Sequence, residues 1–270
     1  GIEADGAAGE SLPATGYYWL GDGESRLLVD GGAPGPAHLP GHTHNDGLSV
    51  LFWADGRRLL TDTGTYDYTA GQRREDARGV AAHNTVQYGD VEPMPVGGSY
   101  LLGRRIDPSA RRTSCDGVEL FDGRYRREGA PSYSHRRRIY HAEDWWLVWD
   151  AVDATDAAPV TSRLHVAPGV TVEHADGSRF DLLPAEEAPP LASIVPLGPV
   201  DATVATSRYF PEFRRAQSRP KLSLRTEGRS VGCGFLLSTD TPRSVRLDRD
   251  GDGLAGVTVD GTHRRLPLSP

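Results

Sequence analysis

Residues Gly41–Ser49 read GHTHNDGLS, so two histidines separated by one residue are followed by an Asn-Asp-Gly turn signal. In an extended segment, side chains two positions apart share one face, and His42 and His44 are therefore expected to project together. The apolar segment Leu48–Trp53 follows directly and is typical of a buried strand. This stretch predicts a pair of imidazoles at the entrance to a core strand.

Hairpin signals flank this strand on both sides. Asp55-Gly56 is a tight-turn dipeptide, and Arg58–Thr61 after it is the predicted return strand. The predicted strands are Tyr17–Leu20, Arg26–Val29, Leu48–Trp53, Arg58–Thr61, Asn84–Tyr88, Tyr100–Ile106, Val118–Tyr125, Arg136–His141 and Trp145–Val152. From Arg163 onward, short alternating segments separated by Gly-rich and Pro-rich turns continue the same pattern.

The spacing of strands and turns also predicts the fold class. The chain has 270 residues, of which 32 are Gly and 20 are Pro, and regular helical patterns are rare. Sequential strands with closely spaced turns predict an all-β fold, a large antiparallel β-sandwich of many short strands. Sandwiches of this length often form one unit, so residues 1–270 are predicted as a single domain, with a candidate sub-boundary near 168–200.

Few segments depart from the strand pattern. Gly71–Val80 is polar and is predicted to be irregular. Only Ala185–Glu187 and Pro211–Ala216 are candidates for a helical turn. The run of tryptophans in Trp145–Val152 is expected to pack in the core rather than to form a sugar-stacking platform, since apolar residues lie within the same run.

Net charge, apolar runs and cysteine spacing narrow the class of protein. The net charge is −7, which argues against a nucleic-acid partner. No run of about 18 apolar residues is present, so no membrane span is expected. The two cysteines, Cys115 and Cys233, form no C-x-x-C pattern and are predicted to be two separate thiols; a disulfide between them is the alternative.

Two imidazoles and a carboxylate are a standard ligand set for zinc, but spacing leaves the carboxylate open. Asp62 falls opposite about Ser49 in the predicted hairpin, well short of His44. It joins the set only if the Asn45–Gly47 turn folds the histidine segment back, and Asp46 is a rival ligand. The residues in question are His42, His44, His83, Asp46, Asp62 and Asp67.

Other motifs carry less weight. His83, taken alone, reads as a structural histidine at the entry to a strand. Asp248–Gly253 imitates the start of a calcium-binding loop, but Val259 stands where the bidentate Glu belongs, so a hairpin turn is expected. The H-x-H pair also suggests a cupin, yet the Glu that follows in cupins is missing.

Three blocks of the sequence together resemble the C-terminal domain of heparinase II/III-like lyases, which include alginate and oligoalginate lyases. The blocks are Gly41–Ser49, Leu60–Tyr68 and Arg78–Val86, and they occur in the order and spacing of that family. The similarity extends more weakly through Arg136–Val152. After about Pro168 it is only to a β-rich continuation.

The resemblance implies roles for individual residues. It implies a largely structural zinc ion held by His44, Asp62 and His83, which favours Asp62 over Asp46 and reverses the structural reading of His83. It implies that His42 faces the substrate cleft as a catalytic residue. Tyr68 and Arg78 are the candidates for contact with substrate.

The resemblance also implies a reaction and partners. Relatives break uronic-acid glycans by β-elimination, and they place this domain after a helical toroid that supplies further catalytic residues, for which this chain has no helical pattern. The expected partners are therefore an acidic polysaccharide or oligosaccharide and that toroid. A homodimer is a further candidate assembly. The expected location is the periplasm or the exterior. The alternatives are a non-catalytic carbohydrate-binding scaffold and a cupin-like metalloenzyme.

Overall fold

The computed structural model describes residues 11–36, 38–186, 188–250 and 253–267, and within them almost all regular structure is β-strand. The elements are β1 (Tyr17–Leu20), β2 (Arg26–Asp30), β3 (Val50–Ala54), β4 (Arg57–Leu60), α1 (Gln72–Arg78), β5 (Val86–Tyr88), β6 (Val96–Gly97), β7 (Leu101–Leu102), β8 (Ser109–Cys115), β9 (Val118–Arg127), β10 (Tyr133–Ala142), β11 (Trp145–His165), β12 (Val170–His174), β13 (Phe180–Pro184), β14 (Ala192–Leu197), β15 (Asp201–Glu212), β16 (Arg215–Ser238), β17 (Val245–Asp250), β18 (Gly253–Val259) and β19 (Thr262–Arg265). Short 3₁₀ turns occupy Pro40–His42 and Val80–Ala82.

Antiparallel pairing organises these strands into sheets. One sheet has the order β1-β2-β3-β4. The large sheet runs β12-β13-β14-β16-β11-β10-β9-β8, with β15 paired to β16 and β5 paired to β11. The long strands β11 and β16 pair along most of their lengths, with a register shift between Asp153 and Ala158. Strands from both sides of the 168–200 region therefore join one sheet, and the all-β antiparallel sandwich is confirmed.

The main core lies between the four-stranded sheet and the inner face of the large sheet. Leu20, Val29 and Phe52 from the first sheet share one apolar cluster with Ile139 and Phe235 from the second. All five side chains are inaccessible to solvent, and burial on this scale is the main source of folding free energy.

A second core lies on the outer face of the large sheet, under the sheet β17-β18-β19. Trp145 and Trp149 pack there against Leu254, whereas Trp146 points the other way and contacts Phe52 at 5.0 Å between ring centroids. Because both faces of β11 are covered here, its sequence is apolar at successive positions rather than at alternate ones. The prediction that these tryptophans belong to the core is confirmed.

Several strand and turn predictions also hold. Asp55 and Gly56 form the β3–β4 turn with φ of +49° and +72°, the conformation that a two-residue hairpin requires. The calcium-loop imitation belongs to the β17–β18 hairpin, although residues 251–252 lie outside the described part. Cys115 and Cys233 are both free, as expected for separate thiols. Among the described residues, no helix is long and apolar enough to cross a membrane.

Other local predictions were wrong. Gly71–Val80 is not irregular, because it contains helix α1, whose buried face includes Arg74, Ala77 and Arg78. Tyr100–Ile106 keeps only the two-residue strand β7. Pro211–Ala216 holds no helical turn, since Phe213 and Arg214 form the tip of the β15–β16 hairpin. Ala185 and Glu186 lie in a bend, and Glu187 is outside the described residues.

Candidate metal centre and substrate cleft

Two buried polar side chains hold the three sequence blocks together. Asn84 donates from Nδ2 to the carbonyls of Val50 (2.8 Å) and Thr61 (3.1 Å), and its Oδ1 accepts from the His165 N–H. Arg137 donates from Nη1 to the carbonyl of Asn84 at 2.8 Å, and it donates in the same way to the carbonyl of Leu48. These bonds satisfy buried carbonyls, so the loops around the site are fixed by the core.

The histidine segment is bent rather than extended. Pro40–His42 is a 3₁₀ turn, so His42 is exposed while His44 turns inward and is only partly accessible. Both side chains nevertheless line the same cavity. The return into β3 begins one residue later than the predicted Asn-Asp-Gly turn, where Ser49 N–H donates to the Asp46 carbonyl and Leu48 has φ of +61°.

His44, Asp62 and His83 come together at the base of this loop. One ligand atom from each lies within 4.8 Å of the others. Nδ1 of His83 is 2.7 Å from Oδ2 of Asp62, and the His44 and His83 ring centroids are 5.3 Å apart. In the described part of the chain, this group contains Asp62 and not the rival Asp46.

Electrostatics give the three side chains different protonation states. Burial, reinforced by the neighbouring His83, lowers the pKa of His44 to about 3, so His44 is neutral. Burial raises the pKa of Asp62, but the His83 charge and hydrogen bond outweigh it and bring the net pKa below its ordinary value. Burial lowers the pKa of His83, but Asp62 outweighs that effect and the net pKa is raised. The cluster therefore contains a carboxylate that is ionised and paired.

This donor set meets the requirements of a borderline metal ion. The His83 side chain is fully inaccessible to solvent, and its Nε2 atom has no hydrogen-bond partner among the described residues. A buried polar atom without a partner costs free energy, and coordination to a metal ion would remove that cost. Two imidazoles and one carboxylate leave a fourth position open in a tetrahedral site, so these residues fit zinc.

His42 and Tyr68 form a second, more accessible pair beside the cluster. Nδ1 of His42 is 3.3 Å from Oη of Tyr68, and the two rings meet edge to face at 5.5 Å. Arg74 contacts both sides of the pair. It donates to the Gly41 carbonyl, next to His42, at 2.8 Å, and its guanidinium lies 5.0 Å from the Tyr68 ring centroid. Arg74 also lies 3.3 Å from Nε2 of His44, so one guanidinium joins the pair to the cluster.

Arg78 has a different place from the expected substrate contact. Its side chain is fully buried, and it donates from Nε to the Thr43 carbonyl at 3.0 Å and from Nη1 to the Ser99 carbonyl. The carbonyl of Arg78 in turn accepts from the Asn45 N–H. A side chain with no accessible surface does not reach a glycan, so the structure makes Arg78 a residue that positions the histidine loop.

A cavity of about 280 Å³ adjoins the site, lined by His42, His44, Asp46, Tyr17 and Asp30 among others. Burial, reinforced by the Asp46 charge, raises the pKa of Asp30 to about 7. Neither Asp30 nor Arg74 was a candidate from the sequence. Arg74 lies in the segment read as irregular, and only a helical reading of residues 72–78 would have placed it on the same face as Arg78.

The comparisons with known proteins agree with this architecture. The chain matches the family described as "Heparinase II/III-like, C-terminal" over residues 4–249. No curated protein sequence matches it. Similar solved structures include heparan sulfate lyase HepC from Pedobacter heparinus, with TM-score 0.78 and 13% identity, covering 98% of this chain and 43% of that one.

A heparinase III, the BT4657 gene product, has TM-score 0.74 and 15% identity, with 96% of this chain and 42% of that one covered. A further heparinase III has TM-score 0.67 and 14% identity, with 93% and 41% covered. At these identities the solved structures show a shared fold, and this chain spans about two fifths of their length. The match over residues 4–249 shows that the chain belongs to the heparinase II/III-like family, as its C-terminal domain.

Proposed function

We propose that this chain is the β-sandwich domain of a polysaccharide lyase that cleaves uronic-acid-containing glycans by β-elimination. The observation that carries the proposal is the accessible pair of His42 and Tyr68, whose Nδ1 and Oη atoms are 3.3 Å apart beside a buried ligand cluster. The solved structures of similar fold are described as heparinase III and heparan sulfate lyase, which supports an acidic glycan as substrate.

The reaction needs a base, an acid and a group that neutralises the uronate. A base removes the proton at C5, next to the carboxylate, and the electron pair forms a C4–C5 double bond. The bond from C4 to the glycosidic oxygen then breaks, and that oxygen takes a proton and leaves as a hydroxyl. The products are a new chain end and an unsaturated uronate, and no oxidant or reductant is consumed.

This chain can supply proton transfer at two adjacent atoms. An imidazole accepts or donates a proton near neutral pH, so His42 can remove the C5 proton or hydrogen-bond to the uronate carboxylate. The hydroxyl of Tyr68 can donate to the leaving oxygen or relay a proton to His42. Arg74 positions the pair through the Gly41 carbonyl, and its buried charge favours an anionic group in the cleft.

We also propose that His44, Asp62 and His83 hold a zinc ion with a structural role. This assignment is supported by neutral His44, by ionised Asp62 and by Nε2 of His83, which has no partner among the described residues. Bound zinc would supply positive charge that ties three separate chain segments together at the floor of the cleft. No step of the elimination described above requires it.

The remaining parts of the active site are proposed to come from outside this domain. The similar solved chains are more than twice as long, which supports an N-terminal helical toroid as the partner that closes the cleft. We propose a periplasmic or secreted location, where acidic polysaccharides are encountered. A homodimer stays a prediction.

The test is an assay of the full-length protein on heparan sulfate, chondroitin sulfate and alginate, with ultraviolet absorbance of the unsaturated product as the readout. One of these glycans is expected to give product, and His42→Ala is expected to remove it without unfolding the domain. Binding without product on the whole panel would instead support a carbohydrate-binding scaffold. Immediate loss of turnover on chelation, with no change in melting temperature, would support a cupin-like metalloenzyme.

A further inference from the structure

The β15–β16 hairpin reaches the cleft from the second half of the chain. Near its tip, Phe210 N–H donates to the Thr63 carbonyl at 2.8 Å, and Arg214 N–H donates to the Tyr66 carbonyl at 2.6 Å. Gly64 lies under the hairpin with φ of +72°, and a Cβ there would come within 2.2 Å of the Phe210 carbonyl oxygen. The tip is therefore docked, backbone to backbone, on the segment that begins with Asp62.

Docking places an exposed aromatic ring beside the His42–Tyr68 pair. Phe213 is 60% exposed although it is a large apolar side chain, and its ring centroid lies 6.4 Å from that of Tyr68. Tyr100, which is 57% exposed, is also stacked with Tyr68, at 6.3 Å between ring centroids. We call Tyr68, Tyr100 and Phe213 the aromatic face, and it is continuous with the edge of His42.

Guanidinium groups interleave with this aromatic face. Arg214 lies 5.6 Å from the Phe213 ring centroid, and Arg74 lies 5.0 Å from that of Tyr68. At the hairpin tip, Glu212 pairs with Arg215 at 3.4 Å. In the described part of the chain, neither Arg74 nor Arg214 forms an ion pair with a carboxylate. Arg74 is buried whereas Arg214 is exposed, so the charge of Arg214 is available to an anionic ligand.

Flat rings and an exposed guanidinium group together suit an acidic sugar. The C–H face of a pyranose ring packs on an aromatic ring, while a carboxylate or sulfate on the same sugar accepts charge-assisted hydrogen bonds from arginine. A neutral sugar would leave the Arg214 guanidinium unused, and a purely apolar partner would leave it desolvated without a counter-charge. The chemistry of the surface thus favours an anionic pyranose.

We propose that Phe213 and Arg214 form a subsite for an acidic sugar unit next to the His42–Tyr68 pair, with Phe213 stacking on the ring and Arg214 binding its anionic group. The inference rests on the proposed lyase function and adds the part of the cleft that selects the sugar adjoining the scissile bond. The hairpin that carries both residues lies outside the three sequence blocks that form the rest of the site.

The test is calorimetric binding of hexasaccharides to the full-length protein in a His42→Ala background, which prevents turnover during titration. The probes are heparan sulfate, alginate and neutral cellulose hexasaccharides. Phe213→Ala is expected to weaken binding of an acidic probe roughly tenfold, and Phe213→Trp is expected to restore it. Arg214→Asn is expected to weaken it roughly tenfold as well and to reduce its dependence on salt, because one charge-assisted bond is lost.

Asn is chosen at position 214 because the residue has φ of +60°, which Asn tolerates better than most side chains. The matched control is Val204→Ala, which removes an exposed apolar side chain from β15, away from the tip, and is expected to bind as the parent does. Equal melting temperatures show that each variant is folded.

Parent-like binding by both Phe213→Ala and Arg214→Asn would overturn the subsite, as would the absence of binding to any acidic probe. If Phe213→Ala instead exposes the junction with the N-terminal region to proteolysis while sugar binding is unchanged, the tip is a domain contact and the proposal is wrong. If binding depends on Phe213 but the parent protein forms no unsaturated product, the subsite proposal stands and the proposed lyase function is wrong.

Discussion

The Nδ1 atom of His42 lies 3.3 Å from the Oη atom of Tyr68, and this hydrogen-bond distance joins two residues that are 26 positions apart in sequence. His42 belongs to the bent histidine loop and Tyr68 to the chain that follows β4. Both are accessible, so neither contributes much to the core. Their proximity is therefore more informative about chemistry than about stability.

The first prediction concerns this pair. If the full-length protein is the proposed lyase, His42→Ala and Tyr68→Phe should each lower its kcat by about 10² to 10⁴, the usual contribution of a positioned acid or base. KM should change much less, and the melting temperature should stay within a degree or two of the parent. His263→Ala, which alters an exposed histidine on β19, serves as the control. Turnover close to the parent value for His42→Ala would remove it from the mechanism.

The second prediction distinguishes the two carboxylates beside His44. Because Asp62 and not Asp46 lies with His44 and His83, Asp62→Asn should lose zinc on dialysis whereas Asp46→Asn should keep it. Metal analysis by mass spectrometry measures both. Zinc at 100 times its dissociation constant should stabilise the parent by roughly 2.7 kcal/mol over the chelated protein. Equal zinc content in both variants would contradict the ligand assignment.

The third prediction concerns the buried group that supports the site. Arg137 forms two bonds with the carboxylate of Asp150, at 2.8 and 2.9 Å, and Asp150 also contacts Nε2 of His135 at 2.8 Å. Arg137→Met would leave the buried carboxylate without its main partner and should cost about 3–5 kcal/mol of unfolding free energy. Arg225→Met, on the exposed face of β16, should cost under about 0.5 kcal/mol. Urea denaturation measures both, and similar costs would contradict the proposed support.

The fourth prediction follows from the raised pKa of Asp30. Burial brings the pKa of its carboxyl to about 7 in the folded chain, against 3.8 as the ordinary value. Between these values the folded chain holds a proton that the unfolded chain has released, so stability falls as pH rises from about 4 to 7. In chelated protein, Asp30→Asn should flatten that part of the curve of unfolding free energy against pH. Asp90→Asn, an exposed control, should leave the slope as it is, and an unchanged slope in Asp30→Asn would show that its carboxyl is ionised when folded.

The fifth prediction concerns the two thiols. Cys115 is exposed, whereas Cys233 is buried and its pKa is raised by burial to about 12. Because the thiolate is the reactive form, a maleimide should add once per folded chain and twice after denaturation. Intact-mass measurement counts the adducts, and Cys115→Ser should abolish the reaction of the folded protein. Failure of the denatured chain to react without a reductant would reveal a disulfide.

Sequence alone predicted much of the fold because its signals are local. Turn dipeptides such as Asp55-Gly56 and the apolar run around Leu48–Trp53 act over a few residues, so the sequence pattern was enough to predict the antiparallel sandwich. It failed at α1, where the seven residues Gln72–Arg78 are mostly charged and the helix is held by packing on the histidine loop rather than by an apolar stripe.

The candidate site likewise has features that the sequence predicted and features that only the fold decided. The histidines of GHTHNDGLS were visible as candidate ligands from their types and spacing, but spacing left Asp46 and Asp62 as rivals, and only the family resemblance favoured Asp62. The fold brings Asp62 to 2.7 Å from His83. It also turns His42 outward, buries Arg78, and delivers Phe213 from 145 positions beyond Tyr68. Contacts over such sequence separations depend on how the sheets pack, because the free energy that holds them comes from the shared core and its buried polar bonds.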